Sequence, residues 1–168
     1  MATTVQFIQI STHTIQARQG GGIRYAPAIP ARPGVYIIDN NGPYIGASGD
    51  LKTRFRVRLA SLWEFGASWA GISIDLLRIE IGGVSTATNN LGQCSITVAH
   101  GHNWVPTIVD VEHLLMRIYI QVLGINIRNT EKWQNLFNNP FPDALDWSIE
   151  DSNNNVLYQG QIAQGGSL

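Results

Sequence analysis

The sequence predicts a mixed α/β (α+β) domain, and three observations carry that expectation. Short apolar runs lie between Gly-, Asn- and Pro-rich turns. Two longer stretches repeat their apolar residues at helical spacing, and the two kinds of segment interleave along the chain. At 168 residues the chain accommodates one domain with a real core and is too short for two comfortable ones. Hydrophobic residues make up 44% and charged residues 14%, the composition of a globular chain and not of a disordered one.

Taken in order, "TTVQFIQIS" alternates in part and reads as a strand, turned at "QGGGI". "YAPAIPARPG" holds three of the seven prolines and is expected to be an extended, exposed connection. "GVYIID" and "PYIGAS" are two strands joined around "NNG", where Asn and Gly tolerate positive φ; this is a hairpin signal. From Asp50 to about Trp63 the period changes. Leu51, Phe55, Leu59 and Leu62 form one apolar stripe of a helix that Asp50 can cap.

"ISIDLLRIEI", residues 72–81, is a further strand; "VSTATNNLGQ" is a loop or hairpin tip, and "CSITVAH" a fourth strand. "TIVDVEHLLMRIYIQVLG" is the clearest helix. Val111, Leu114, Leu115, Ile118 and Val122 recur at helical spacing, and Gly124 sits where a stop belongs. "NTEKWQNLF" is expected to be a short helix, and "WSIEDSNNNVLYQGQI" a final hairpin turned at "NNN". Trp133 and Trp147 are expected to pack in the core.

The net charge of −1 hides an asymmetry. Residues 1–58 carry seven basic side chains against two acidic ones, and the remainder carries four against ten. One cationic face able to hold an anion is the expectation. A single cysteine, Cys94, excludes an internal disulfide and a cysteine-rich zinc module. "MATTVQFIQI" has no cationic leader, and no stretch nears the ~20 apolar residues that span a bilayer. The expected setting is away from any membrane: cytoplasmic, or exported by a route that leaves no mark in the sequence.

The order of residues from the hairpin onward resembles the GIY-YIG nuclease family. That family has "GIY" on one strand and "YIG" on the next; here they read Gly34-Val35-Tyr36 and Tyr44-Ile45-Gly46. Arg54 occupies the place of the family's arginine on the following helix, ten residues past the second tyrosine. In "VEHLLMRIYIQVLGINI", Glu112 takes the place of the metal-binding glutamate and Asn126 that of the family's asparagine. The resemblance covers roughly residues 34–128. It implies a GIY-YIG-like core there, with a small mixed sheet of three or more strands flanked by helices. Residues 1–33 would then be an N-terminal strand and Pro-rich connection, and 129–168 a helix and hairpin extension, all within one domain.

The chemistry implied is hydrolysis of DNA phosphodiester bonds with Mg²⁺ or Mn²⁺ as cofactor. Glu112 would give the cation its one carboxylate, with water and phosphate oxygens completing the shell. Arg54 presents a rigid fork of donors to the phosphate, and Arg58, four residues on, shares that helix face. Lys52 and Arg56, also four apart, lie on another face, where the two readings are contact with flanking phosphates and a simple solvated face. Tyr36, by resemblance, would accept the proton of the attacking water, Tyr44 would orient water or phosphate, and Asn126 would fix the geometry. Arg58 stands where many members carry histidine or tyrosine, and an arginine cannot act as a base. His100 and His102 in "VAHGHNW" are the candidates for relaying that proton. A restriction, mobile-element or antibacterial effector nuclease are all compatible with this reading, as are self-association and an inhibitor protein. The alternative is a catalytically silent relative that binds nucleic acid or a protein partner.

Overall fold

The computed structural model describes residues 3–20, 22–56, 70–82, 84–85, 108–129 and 144–163. These form a mixed α+β fold dominated by one eight-stranded sheet: β1 (Thr3–Ala17), β2 (Ile23–Ala26), β3 (Gly34–Asp39), β4 (Pro43–Ser48), β5 (Ser73–Ile81), β6 (Val84–Ser85), β7 (Leu145–Glu150) and β8 (Val156–Ile162). The main strand order is β4-β3-β5-β1-β7-β8, with β2 paired to β1 and β6 to β5. Helix α1 opens at Leu51 and is described over 51–56. Helix α2 spans Ile108–Arg117 and continues as a π-helical turn, Ile118–Val122. No helix among the described residues is long and apolar enough to cross a membrane.

The tyrosine-bearing hairpin forms where the sequence places it. β3 and β4 pair antiparallel from Gly34↔Ser48 to Asp39↔Pro43, and Asn41 takes the positive φ (55°) that the turn between them needs. Asp50 caps α1 as expected: its carboxylate accepts from the Thr53 N–H at 3.2 Å and the Thr53 hydroxyl at 2.8 Å. The hydroxyl bond, then the N–H bond, hold its pKa below the ordinary carboxylate value. α2 stops at Gly124, where the Ile125 N–H donates back to the Tyr119 carbonyl at 2.8 Å. The β7–β8 hairpin turns on Asp151, whose carboxylate accepts from the N–H groups of Asn153 and Asn155.

The sheet itself departs from expectation. β1 is 15 residues long, running on through "STHTIQA", and it is the middle of the sheet and not an N-terminal addition. One edge of β1 pairs antiparallel with β5; the other is shared by β7, parallel over Thr3–Ile8, and β2, antiparallel over Thr14–Ala17. A bulge between Gln9 and Ser11 shifts the register with β5 by one residue, so Val5 and Phe7 face the α2 side while Ile15 faces the α1 side. The Pro-rich connection is also less exposed than its composition suggests: its first residues are in β2, Ile29 is buried and Tyr25 is half-buried. The segment "CSITVAH", residues 130–137 of "NTEKWQNLF" and Trp133 lie outside the described residues.

Alternation along the strands divides the apolar residues between two faces. Val35, Ile37, Ile45, Leu77 and Ile79 join Val111, Leu114, Leu115 and Met116 of α2, with Trp147 in the same cluster as expected. Tyr36, Ile38, Ile74 and Leu76 join Leu51 and Phe55 of α1 with Ile15, Ile23 and Ile29. Tyr36 and Arg54 therefore meet on the α1 face, and α2 approaches from β4 and β3.

Candidate functional site

Tyr36 is the buried centre of the site. It has no exposed surface and packs edge-on to Phe55 at 4.7 Å between ring centroids; its hydroxyl accepts from the Arg54 Nε at 3.3 Å. Its register partner on β4 is Gly46, whereas Tyr44 stands opposite Ile38, so the two tyrosines are diagonal neighbours on one face. The glycine is a steric necessity. A Cβ there would overlap the Cζ, Cε2 and hydroxyl oxygen of Tyr36, because the ring leans across the strand onto the bare Cα. Gly34 has a similar reason: an added Cβ would lie 2.9 Å from the Leu77 carbonyl oxygen and 3.2 Å from Leu51 Cδ1, pushing α1 off the sheet. Both motif glycines thus set how closely helix and ring approach the hairpin.

Arg54 links the parts. Its guanidinium is held above its already high pKa first by the hydrogen bond to Tyr36, then by charge on Tyr36, and further by Tyr44 and Glu112; partial burial opposes this. Residues from β3, β4, α1 and α2 thus lie within electrostatic reach of one cation. Glu112 is on α2, its side chain 13% exposed, with Oε1 3.8 Å from His113 Nε2. Among the described residues no group of three His, Cys, Asp or Glu side chains converges. A single, partly accessible carboxylate within electrostatic reach of Arg54 suits a hard cation that keeps most of its water better than a multi-ligand site would. It does not suit zinc, which wants three or four protein ligands.

Asn126 follows the π-helical turn of α2. Its side chain is exposed, and its carbonyl lies beside the β3–β4 turn, near Gly42. Three residues on, Asn129 is buried. Its Oδ1 accepts from the Ile45 N–H at 2.9 Å and its Nδ2 donates to the Ile45 carbonyl at 2.7 Å. β4 is the end strand of the sheet, and its outward backbone groups need partners. The Arg128 N–H donates to the Pro43 carbonyl at 2.8 Å, so residues 128–129 run along that edge and close it. In Asn129→Ala both Ile45 groups lose their partner in a buried place, at about 1–3 kcal/mol for each group stranded. A loss of about 2–4 kcal/mol in urea denaturation is expected; a loss below about 0.5 kcal/mol would show that water replaces the amide.

Lys52 and Arg56 lie on the other side of α1, both exposed. With Arg18, Arg24, Tyr25, Ala28 and Phe55 they line a groove of about 300 Å³. Arg18 and Arg24 escaped the sequence reading; the only signal for them was the basic excess of the first 58 residues. Arg58, His100 and His102 lie outside the described residues. A larger cavity of about 640 Å³ lies over β1, β7 and β8. Asp146, Glu150 and several amide side chains line it, without any cation among the described residues, and it contains none of the candidate residues. Its charge is wrong for a phosphate.

Comparison with known proteins identifies no relative: no protein-family model, curated protein or solved structure matches the chain.

Proposed function

We propose that the chain is a divalent-metal-dependent endonuclease of the GIY-YIG type that hydrolyses phosphodiester bonds in DNA. The observation that supports this best is the grouping of Tyr36, Tyr44, Arg54 and Glu112, from four separate elements, within electrostatic reach of one guanidinium. The fourfold grouping gives a use to residues that the resemblance selects from sequence order alone.

In this reading Arg54 binds the scissile phosphate. Its Nε is engaged by Tyr36, which leaves the terminal nitrogens for phosphate oxygens. A Mg²⁺ or Mn²⁺ held by Glu112 would act as Lewis acid on the phosphate and the leaving oxygen. By the resemblance the Tyr36 hydroxyl, which accepts from the Arg54 Nε, would take the proton of the attacking water. Gly46 seats that ring, Tyr44 orients water or phosphate from the next strand, and Asn129 holds the backbone between Tyr44 and Gly46 in place.

Supercoiled plasmid incubated with the protein and Mg²⁺ or Mn²⁺ tests the proposal. Nicking is expected, with loss of it in EDTA and in Arg54→Ala. One observation favours a second reading, that of a silent module binding nucleic acid: Arg58 stands where a proton-transferring histidine or tyrosine is usual. DNA binding without nicking under any divalent metal would select it.

A further inference from the structure

We infer that the groove between the β1–β2 hairpin and α1 carries the backbone of the bound DNA strand beyond the cleaved bond, so that the N-terminal hairpin is part of the DNA-binding surface. The inference rests on the nuclease reading for the identity of its ligand. The groove has its own geometry, separate from the Tyr36–Arg54–Glu112 grouping.

Four cations line it: Arg18 and Arg24 from the hairpin, Lys52 and Arg56 from the helix; no acidic side chain does so among the described residues. Arg24, Lys52 and Arg56 are exposed, and Arg24 Nε donates to Gln16 Oε1 at 3.0 Å, which steadies its guanidinium. Asp50 lies within electrostatic range of Arg56, but its carboxylate is engaged by Thr53 at the start of α1. Between the cations the floor is apolar: Ile23, Ala28, Ile29 and the rings of Tyr25 and Phe55. A track with charged walls suits a nucleic-acid strand, whose phosphates meet the cations; of the two rings Tyr25 is partly exposed and Phe55 is buried beneath it.

The two walls are fastened together. The Tyr25 hydroxyl donates to the Phe55 carbonyl at 3.0 Å, and the Tyr25 and Phe55 rings meet edge to face at 5.3 Å. The Phe55 ring also meets Tyr36 at 4.7 Å, so one ring separates the groove from the candidate catalytic tyrosine. Lys52 and Arg56, which sit one turn apart on the face away from Arg54, thereby receive a role that the Arg54 site alone does not give them.

The test is binding of a labelled DNA duplex by the full chain in EDTA, where no cleavage occurs, followed by fluorescence anisotropy across a salt series. In the triple variant Arg24→Gln, Lys52→Gln, Arg56→Gln the slope of log affinity against log salt is expected to be shallower by about 0.9 for each phosphate that is no longer neutralised. Ala28→Glu, which leaves every cation in place, is expected to weaken binding at least tenfold by putting a carboxylate on the groove floor. An unchanged slope in a folded triple variant, an unaffected Ala28→Glu, or no DNA binding by the wild type at low salt would each overturn the inference. The two readings separate cleanly. Plasmid nicking with an unchanged slope leaves the nuclease standing and removes the groove; groove-dependent binding without nicking does the reverse.

Discussion

Glu112→Gln is expected to abolish metal-dependent nicking while leaving the protein folded. The substitution keeps the shape of the side chain and removes only its charge, so the packing of α2 through Val111, Leu114, Leu115 and Met116 is undisturbed. What is lost is the one carboxylate among the candidate residues that a hard cation would choose. Lewis-acid stabilisation of a phosphoryl transition state is worth several kcal/mol, which corresponds to a fall on the order of 10³-fold in the rate of nicking. Circular dichroism and thermal melting should be close to wild type. Duplex binding in EDTA should be unchanged or slightly tighter, because one negative charge has left the neighbourhood of Arg54. Wild-type nicking by Glu112→Gln would remove the carboxylate from the mechanism and the metal assignment with it.

Gly46→Ala is the second large effect, and it acts on stability and activity together. A methyl group there claims the space of the Tyr36 ring, which is fully buried between the hairpin and Phe55 and has nowhere to retreat without displacing α1. Forced overpacking of this kind costs about 1–3 kcal/mol, and each kcal/mol lowers the melting temperature of a chain this size by about 2–4 °C. Nicking should disappear, because the ring cannot keep its hydroxyl on Arg54 and also clear the methyl. A double-mutant cycle identifies the cause. Removing the ring in Tyr36→Leu should relieve much of the strain, making the stability losses of the two substitutions strongly non-additive. Fully additive losses would mean that the methyl group and the ring never compete for the same space.

The hairpin, α1, α2 and the final hairpin were legible because each announces itself locally. Alternation, an Asn-Gly turn, a four-residue apolar period and an Asp cap are properties of neighbours in the chain. The place of β1 was not legible. Its second half, "STHTIQA", is polar enough to pass for a loop, and its position comes from partners more than 60 residues away, such as Asp75, which accepts from Thr12 Oγ1 at 2.8 Å. Asn126 and Asn129 show the same limit at the scale of one residue. Both follow α2 and both are asparagines; which one can clasp Ile45 depends on how the chain passes the β4 edge, a tertiary matter with no local signature. Arg18 and Arg24 were visible as charge but not as a site, because a hairpin wall and a helix wall become one groove only after Tyr25 docks on Phe55.

The parallel pairing of β1 with β7 has a consequence for how the protein is made. A ribosome emits β1 long before Leu145–Glu150, so the middle strand of the future sheet waits with a backbone edge uncovered until β7 has been made. Shortened versions that begin at residue 34 or end near 128 would discard that strand or its late companion and should accumulate as insoluble material.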